Sequence, residues 1–145
     1  ADEFPFIEFE ERRIDNVCLE LALHPENFDV LVMENLFGDV ISDLCAGLVG
    51  GLGVVPGSNI GTRYAVFEAV HGSAPDIAGQ GLANPIALLR SAAMMLDHMG
   101  QRRAAQQIEL SVARTLERGE GLTRDLGCTG NTRTLTEEMN KNLPA

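Results

Sequence analysis

Two aspartates four residues apart, Asp39 and Asp43 in the stretch NLFGDVISD, carry the sharpest chemical signal in the chain. On a helix, positions i and i+4 share one face, and two like charges there repel unless a cation sits between them. Hard oxygen donors on a rigid element suit Mg²⁺ or Mn²⁺, which keep their remaining positions for water and substrate. On spacing alone the pair also reads as a solvated helix start, where acids favour the positive end of the helix dipole. Asp15, in RRIDN, reads by itself as an ordinary exposed acid opening another helix.

A second constellation is HGSAPDIAG, residues 71–79. Its small residues would let a ligand approach the backbone closely. An acid in such a loop can accept hydrogen bonds from a ribose diol, and it would repel a 2′-phosphate. A plain surface loop is the competing reading. Neither this segment nor Gly50-Gly51-Leu52-Gly53 is a GxGxxG motif. His24 and His98 have no convergent partners in sequence and read as structural.

These residues need elements to position them. Phe4 to Phe9 alternates loosely, as a short strand would. Ile14, Val17, Cys18, Leu21 and Ala22 fall at helical spacing, which predicts a helix over 13–23 ending at His24-Pro25. The apolar run FDVLVM, 28–33, predicts a strand buried on both faces. Asn35–Gly38 reads as a turn, followed by a helix over 39–49 with Asp39 in its first turn. Residues 50–62, with five glycines and a proline, read as loop. A short strand is expected over 64–70. Helices are expected over 85–99, with Pro in the first turn, over 101–118, and over 134–142, the last with Thr134 and Glu137 as a capping box. Strands alternating with helices imply an α/β fold.

Composition narrows the function classes. With 21 acidic against 11 basic residues, the net charge is −10, and such a surface repels phosphate backbones, so nucleic acid is excluded as a partner. No apolar run approaches the 18 residues needed to span a bilayer. Three cysteines, Cys18, Cys45 and Cys128, form neither a CxxC pair nor a zinc pattern. They read as reduced thiols of an intracellular protein, cytoplasmic, or of the mitochondrial matrix in a eukaryote. The opening ADEFPFIEFEE lacks an initiator Met and is the opposite of an Arg-rich transit peptide. It is read as the start of a piece of a longer polypeptide.

NLFGDVISDL, HGSAPDIAG and Ala83-Asn84-Pro85, in that order, resemble the β-decarboxylating dehydrogenases: the isocitrate, isopropylmalate, homoisocitrate and tartrate dehydrogenases. The resemblance spans nearly all of the chain. It implies the C-terminal part of the isopropylmalate/isocitrate dehydrogenase-like fold, a mixed sheet flanked by helices. Residues 1–50 would be the tail of the smaller, dimer-forming domain with its metal aspartates. Residues 51–145 would be the returning half of the large cofactor-binding domain.

The resemblance also implies roles. Asp39 and Asp43 match the carboxylates that hold Mg²⁺ or Mn²⁺. Asp15 matches a third, given to the neighbouring subunit's site, so a homodimer or higher homo-oligomer with a shared site is expected. His71, Gly72, Ser73, Ala74, Pro75, Asp76 and Ile77 match the loop that embraces the adenosine of the cofactor. Asn84 matches the residue that meets the adenine, and Glu68 lies near the expected nicotinamide end. Asp76-Ile77 stands where NADP users resemble Lys-Tyr, so NAD is the expected cofactor. The family's catalytic Lys and Tyr match nothing in this chain, whose one lysine is Lys141. The chain alone is therefore expected to be inactive. The expected reaction is NAD-dependent oxidative decarboxylation of a small 2-hydroxy acid, with isocitrate favoured by DLCAGLVGGLG and MMLDHMG. Isopropylmalate, homoisocitrate or tartrate as substrate, a regulatory subunit of a heteromeric isocitrate dehydrogenase, and a stand-alone binding module are the rival readings.

Overall fold

The computed structural model describes residues 3–144. The chain divides between Leu48 and Val49 into two compact units. The first contains two helices, α1 (Ile14–Leu23) and α2 (Asn35–Leu48). Val17 and Leu21 of α1 and Ile41 of α2 form its buried centre, with Cys18, Leu44, Cys45, Phe28 and Met33 packed around them. Cys18 and Cys45 are half-buried free thiols used as small hydrophobes. Ala22, expected on the same face, is exposed. At the head of α1, the Arg12 guanidinium pairs with Glu10 and Glu20 and lies 5.3 Å over the Phe28 ring. These contacts hold Glu10 below the usual carboxylate range, through its hydrogen bond to Arg12.

Helix α2 begins at Asn35, so the expected turn over 35–38 is its first helical turn. Gly38 sits inside the helix, and Asp39 lies past the first turn rather than in it. The NLFG stretch looks like a turn because of its Asn and Gly, but helical packing of the following residues overrides a single weak former. The expected strands over 4–9 and 28–33 do not form among the described residues. Val30 and Val32 are 82% and 92% exposed. Apolar character describes a surface suited to a sheet; a ladder partner is what makes a strand, and the described residues give these runs none.

The second unit holds a hairpin and three helices. Strands β1 (Pro56–Ile60) and β2 (Ala65–Ala69) pair antiparallel, with Ser58 opposite Phe67. The strand expected over 64–70 is present as β2. Its partner β1 falls in the stretch read as loop. Gly57 explains why: a Cβ there would come 2.8 Å from the Glu68 carbonyl oxygen, so the glycine marks close approach of two backbones.

Along β2, Ala65, Phe67 and Ala69 are half-buried while Val66 and Glu68 are exposed, so one face of the hairpin is covered. Helix α3 (Ile86–His98) covers it. Ser91 on α3 is 1% exposed; its hydroxyl lies 2.8 Å from the Glu68 carbonyl and accepts from the Gly57 N–H at 3.3 Å. Phe67 packs against the His98 ring at 5.5 Å, which gives that histidine its structural role.

Helix α4 (Arg102–Arg118) follows after Gly100 and ends at Gly119, and α5 (Thr132–Lys141) closes the chain. Both α3 and α4 fall where periodicity placed them. Helix α5 starts two residues earlier than expected, and its capping box joins Asn131 with Thr134, not Thr134 with Glu137. Asn131 stands at the N-cap, where its side-chain oxygen accepts from the N2 and N3 backbone N–H groups, 3.0 Å from each. The core is Ile86, Val112, Leu122, Leu135 and Met139 with Val54. Ser111 donates to the Met139 carbonyl at 2.5 Å, and Asn142 donates to Thr115, so polar groups also bind α4 to α5.

Ile86 and Leu135 are fully buried at this centre. Leu135→Ala is expected to lower unfolding free energy by about 2–5 kcal/mol, the transfer loss plus the cavity left behind. Urea melts of the two chains check it; a loss under about 1 kcal/mol would mean the cavity collapses freely.

Candidate functional site

The two carboxylate sets expected to bind metal lie in the first unit. Asp39 and Asp43 are both exposed on α2, on the side away from Ile41 and Leu44. Among the described residues neither makes a salt bridge. Asp15 stands in the first turn of α1 and accepts from Arg13 through both oxygens, at 3.2 and 2.9 Å. Among the described residues no three His, Cys, Asp or Glu side chains converge on one point, so Asp15 does not complete a cage with the α2 pair.

The donor set on α2 fits Mg²⁺ or Mn²⁺ held by one or two carboxylates, with the other positions open. It does not fit a closed structural metal site, which needs a full set of protein ligands.

The second unit holds the loop expected to meet a nucleotide. Its turns are closed internally: the Ile77 N–H donates to the Ala74 carbonyl at 3.1 Å, and that of Gln80 to Ile77 at 3.2 Å. The Gln80 side chain donates to the Asp76 carbonyl at 2.8 Å. Ala74 sits at φ +41°, a left-handed conformation unusual for any residue with a Cβ. Such strain persists only where the surroundings over-determine it, and it gathers at binding loops. His71, Gly72, Ser73, Ala74, Pro75 and Asp76 are exposed and Ile77 is half-buried. The Asp76 carboxylate has no ion-pair partner among the described residues. Arg90, a near cation in sequence, is committed elsewhere: it pairs with Glu109 at 3.1 Å and donates to the Val54 carbonyl at 3.1 Å.

Glu68 is exposed on β2 and accepts from the Asn59 side chain at 3.1 Å. Asn84 is buried, in contrast to the loop before it. Its oxygen accepts from the Ile86 N–H at 2.9 Å, and its amide nitrogen donates to Asp125 at 2.9 Å. Sequence reading singled out neither Asp125 nor Thr132. Thr132 reaches back 49 residues to the Ala83 carbonyl, with its own N–H on Gly81, and so anchors the far end of the loop to α5. Only contacts across the fold reveal these two; their local sequence, TRDLGCTGNT, looks like ordinary turn.

Lys141 bonds Glu138 at 2.5 Å on the outer face of α5. That bond holds its pKa above the ordinary lysine value.

Comparison with known proteins gives a consistent result. The family model described as isocitrate/isopropylmalate dehydrogenase matches residues 1–143. The isocitrate/homoisocitrate dehydrogenase of Thermus thermophilus is 53% identical over 139 residues, 96% of this chain and 41% of that protein. The mitochondrial isocitrate dehydrogenase [NAD] subunit alpha of Homo sapiens is 54% identical over 140 residues, 96% of this chain and 38% of that protein. The crystal structure of isocitrate dehydrogenase from Methylococcus capsulatus superposes with a TM-score of 0.93 at 48% identity, covering 98% of this chain and 42% of that one. The chain thus spans about two fifths of the length of the curated relatives it matches. Over that span, by sequence and by fold, the chain belongs to the isocitrate/isopropylmalate dehydrogenase family.

Proposed function

We propose that the protein carrying this chain catalyses the NAD-dependent, metal-assisted oxidative decarboxylation of isocitrate to 2-oxoglutarate. The observation that carries this reading is a joint one. One chain of the family has an exposed i, i+4 carboxylate pair and a strained loop carrying Asp76, none of the three acids being in a salt bridge among the described residues. The first unit would be the tail of the smaller, dimer-forming domain and the second the returning half of the cofactor-binding domain.

Asp39 and Asp43 would hold Mg²⁺ or Mn²⁺ by one oxygen set from one helix face. The bound ion would supply Lewis-acid polarisation of the substrate's hydroxyl and carboxylate oxygens. Asp15 would serve the neighbouring subunit's site once Arg13 releases it. The 71–77 backbone would hold the adenosine ribose, with Asp76 accepting from both hydroxyls. Asn84 would meet the adenine, and Glu68 would lie toward the nicotinamide end. A lysine general base would come from elsewhere in the complete protein, since the one lysine here, Lys141, is bonded to Glu138 on α5 and matches no motif of the family.

The isocitrate assignment draws on the names of the human and Methylococcus relatives. Homoisocitrate is the second reading, because the Thermus relative's name includes it. The relatives named as a subunit alpha support a chain that assembles with its own kind or with related chains, in the mitochondrion where the source is a eukaryote. Among the described residues no helix is long and apolar enough to cross a membrane.

Three outcomes are expected in the complete protein. Asp43→Asn weakens Mn²⁺ binding by about tenfold or more, the size of one lost charge-assisted contact, and unchanged affinity by calorimetry would remove the α2 pair from the site. Asp76→Lys with Ile77→Tyr moves the ratio of kcat/KM toward NADP by about one to two powers of ten; a wild type that uses both cofactors equally contradicts the loop's role. Hybrid dimers of Asp15→Asn and Asp43→Asn subunits, each inactive alone, recover part of the isocitrate activity. Verified hybrids that stay inactive would place Asp15 in its own chain's site.

A further inference from the structure

Residues 71–83 run from the end of β2 to the start of α3, and their hydrogen bonds close almost entirely within the stretch. The Ala78 N–H donates to the Pro75 carbonyl, Gln80 bonds Ile77 through its N–H and Asp76 through its side chain, and the His71 ring lies 3.0 Å from the neighbouring Gly72 carbonyl. Among the described residues the hydrogen bonds that reach the stretch from elsewhere both come from Thr132, the first residue of α5. Its N–H donates to the Gly81 carbonyl at 2.8 Å, and its hydroxyl donates to the Ala83 carbonyl.

The helix itself supplies the reason. The first N–H groups of a helix have no partner within it. The Asn131 side chain accepts from those of Arg133 and Thr134, and the one on Thr132 is left for the loop. Thr132 is itself well fixed: its carbonyl accepts from the Thr136 hydroxyl at 2.7 Å, and Leu135, three residues on, is fully buried. Beside the tie, a cleft of about 450 Å³ lies between Gln80 and Gly81 of the loop and Arg133, Thr136 and Glu137 of α5. Side-chain packing therefore does not back up the two bonds there.

We propose that Thr132 is a positioning residue for the cofactor: its two bonds hold the return of the 71–77 loop in its binding shape before the dinucleotide arrives. This rests on the reading that the loop embraces the adenosine of NAD. A loop tied in advance has less freedom to lose on binding, which raises affinity without any new contact to the ligand. The strain at Ala74 adds to the need for a tie, since a left-handed residue with a Cβ persists only where its surroundings hold it. The effect is also reciprocal. Whatever the tie adds to NAD affinity, bound NAD adds to the tie, so the cofactor steadies the start of α5.

The test uses the complete protein with NAD, Mn²⁺ and isocitrate. Thr132→Val keeps the shape and the backbone N–H but loses the hydroxyl bond, whereas Thr132→Ser keeps both bonds. Thr132→Val is expected to raise KM for NAD about two- to tenfold, the worth of one net hydrogen bond, with kcat and KM for isocitrate unchanged. Thr132→Ser restores the wild-type KM. A merely structural role would shift kcat and both KM values together. That result, an unchanged KM for NAD, or a serine variant as weak as the valine one overturns the proposal. Should Thr132→Val fail to fold, amide hydrogen exchange in wild type decides. NAD is expected to slow exchange at the start of α5, and bound NAD that leaves it unchanged overturns the tie. A wild type that binds no NAD by calorimetry overturns the reading of the loop instead, which separates the two failures.

Discussion

The second unit is organised by how closely the β1–β2 hairpin can approach α3. That approach is set by small residues: Gly57 on the strand, and Ala87 and Ser91 on the helix, the latter two almost wholly buried. The Ser91 hydroxyl stands where strand and helix backbones meet, accepting from one strand and lying within bonding distance of the other. A larger side chain at any of these positions would lever the hairpin away. Because α3 also packs on α4, and α4 on α5, an error at that seam would pass through the whole unit. The 71–79 loop leaves directly from the end of β2 and returns at the start of α3, so its two ends are held by the same seam.

Around this frame, polar contacts do the fine placement. Arg90 reaches from α3 to Glu109 on α4 and to the Val54 carbonyl, tying the glycine-rich turn to both helices. Thr132 ties the 81–83 backbone to α5. These exposed or half-exposed contacts add little to stability one by one. Their effect is to fix where backbone carbonyls and amides point.

Much of this was legible in the sequence, and what was not has physical causes. Helices α1, α3 and α4 declare themselves through apolar periodicity with clear stops at Pro25, Gly100 and Gly119. The shared face of Asp39 and Asp43 follows from spacing, although the helix begins four residues earlier than its Asn and Gly suggested. Strand β1 was hidden because a glycine required for close approach looks the same in sequence as one that breaks structure. The runs at 4–9 and 28–33 were over-read because sheet pairing is a property of two segments, and one segment cannot specify it. At the candidate site, the loop stands out in sequence as HGSAPDIAG, but the strain at Ala74 and the Asn84–Asp125 bond, across 41 residues, exist only in three dimensions.

The exposed run around Val30 and Val32 has a consequence for handling the chain. Val30 to Met33 is short, β-prone and uncharged, and its valines are open to water. Segments of that kind stack readily with identical copies into cross-β ladders. Asp29 and Glu34 bracket it with like charges, acting as gatekeepers against such stacking. Concentrated samples of the isolated chain are therefore expected to precipitate more readily as the pH falls toward the pI near 4.6, where the net charge vanishes.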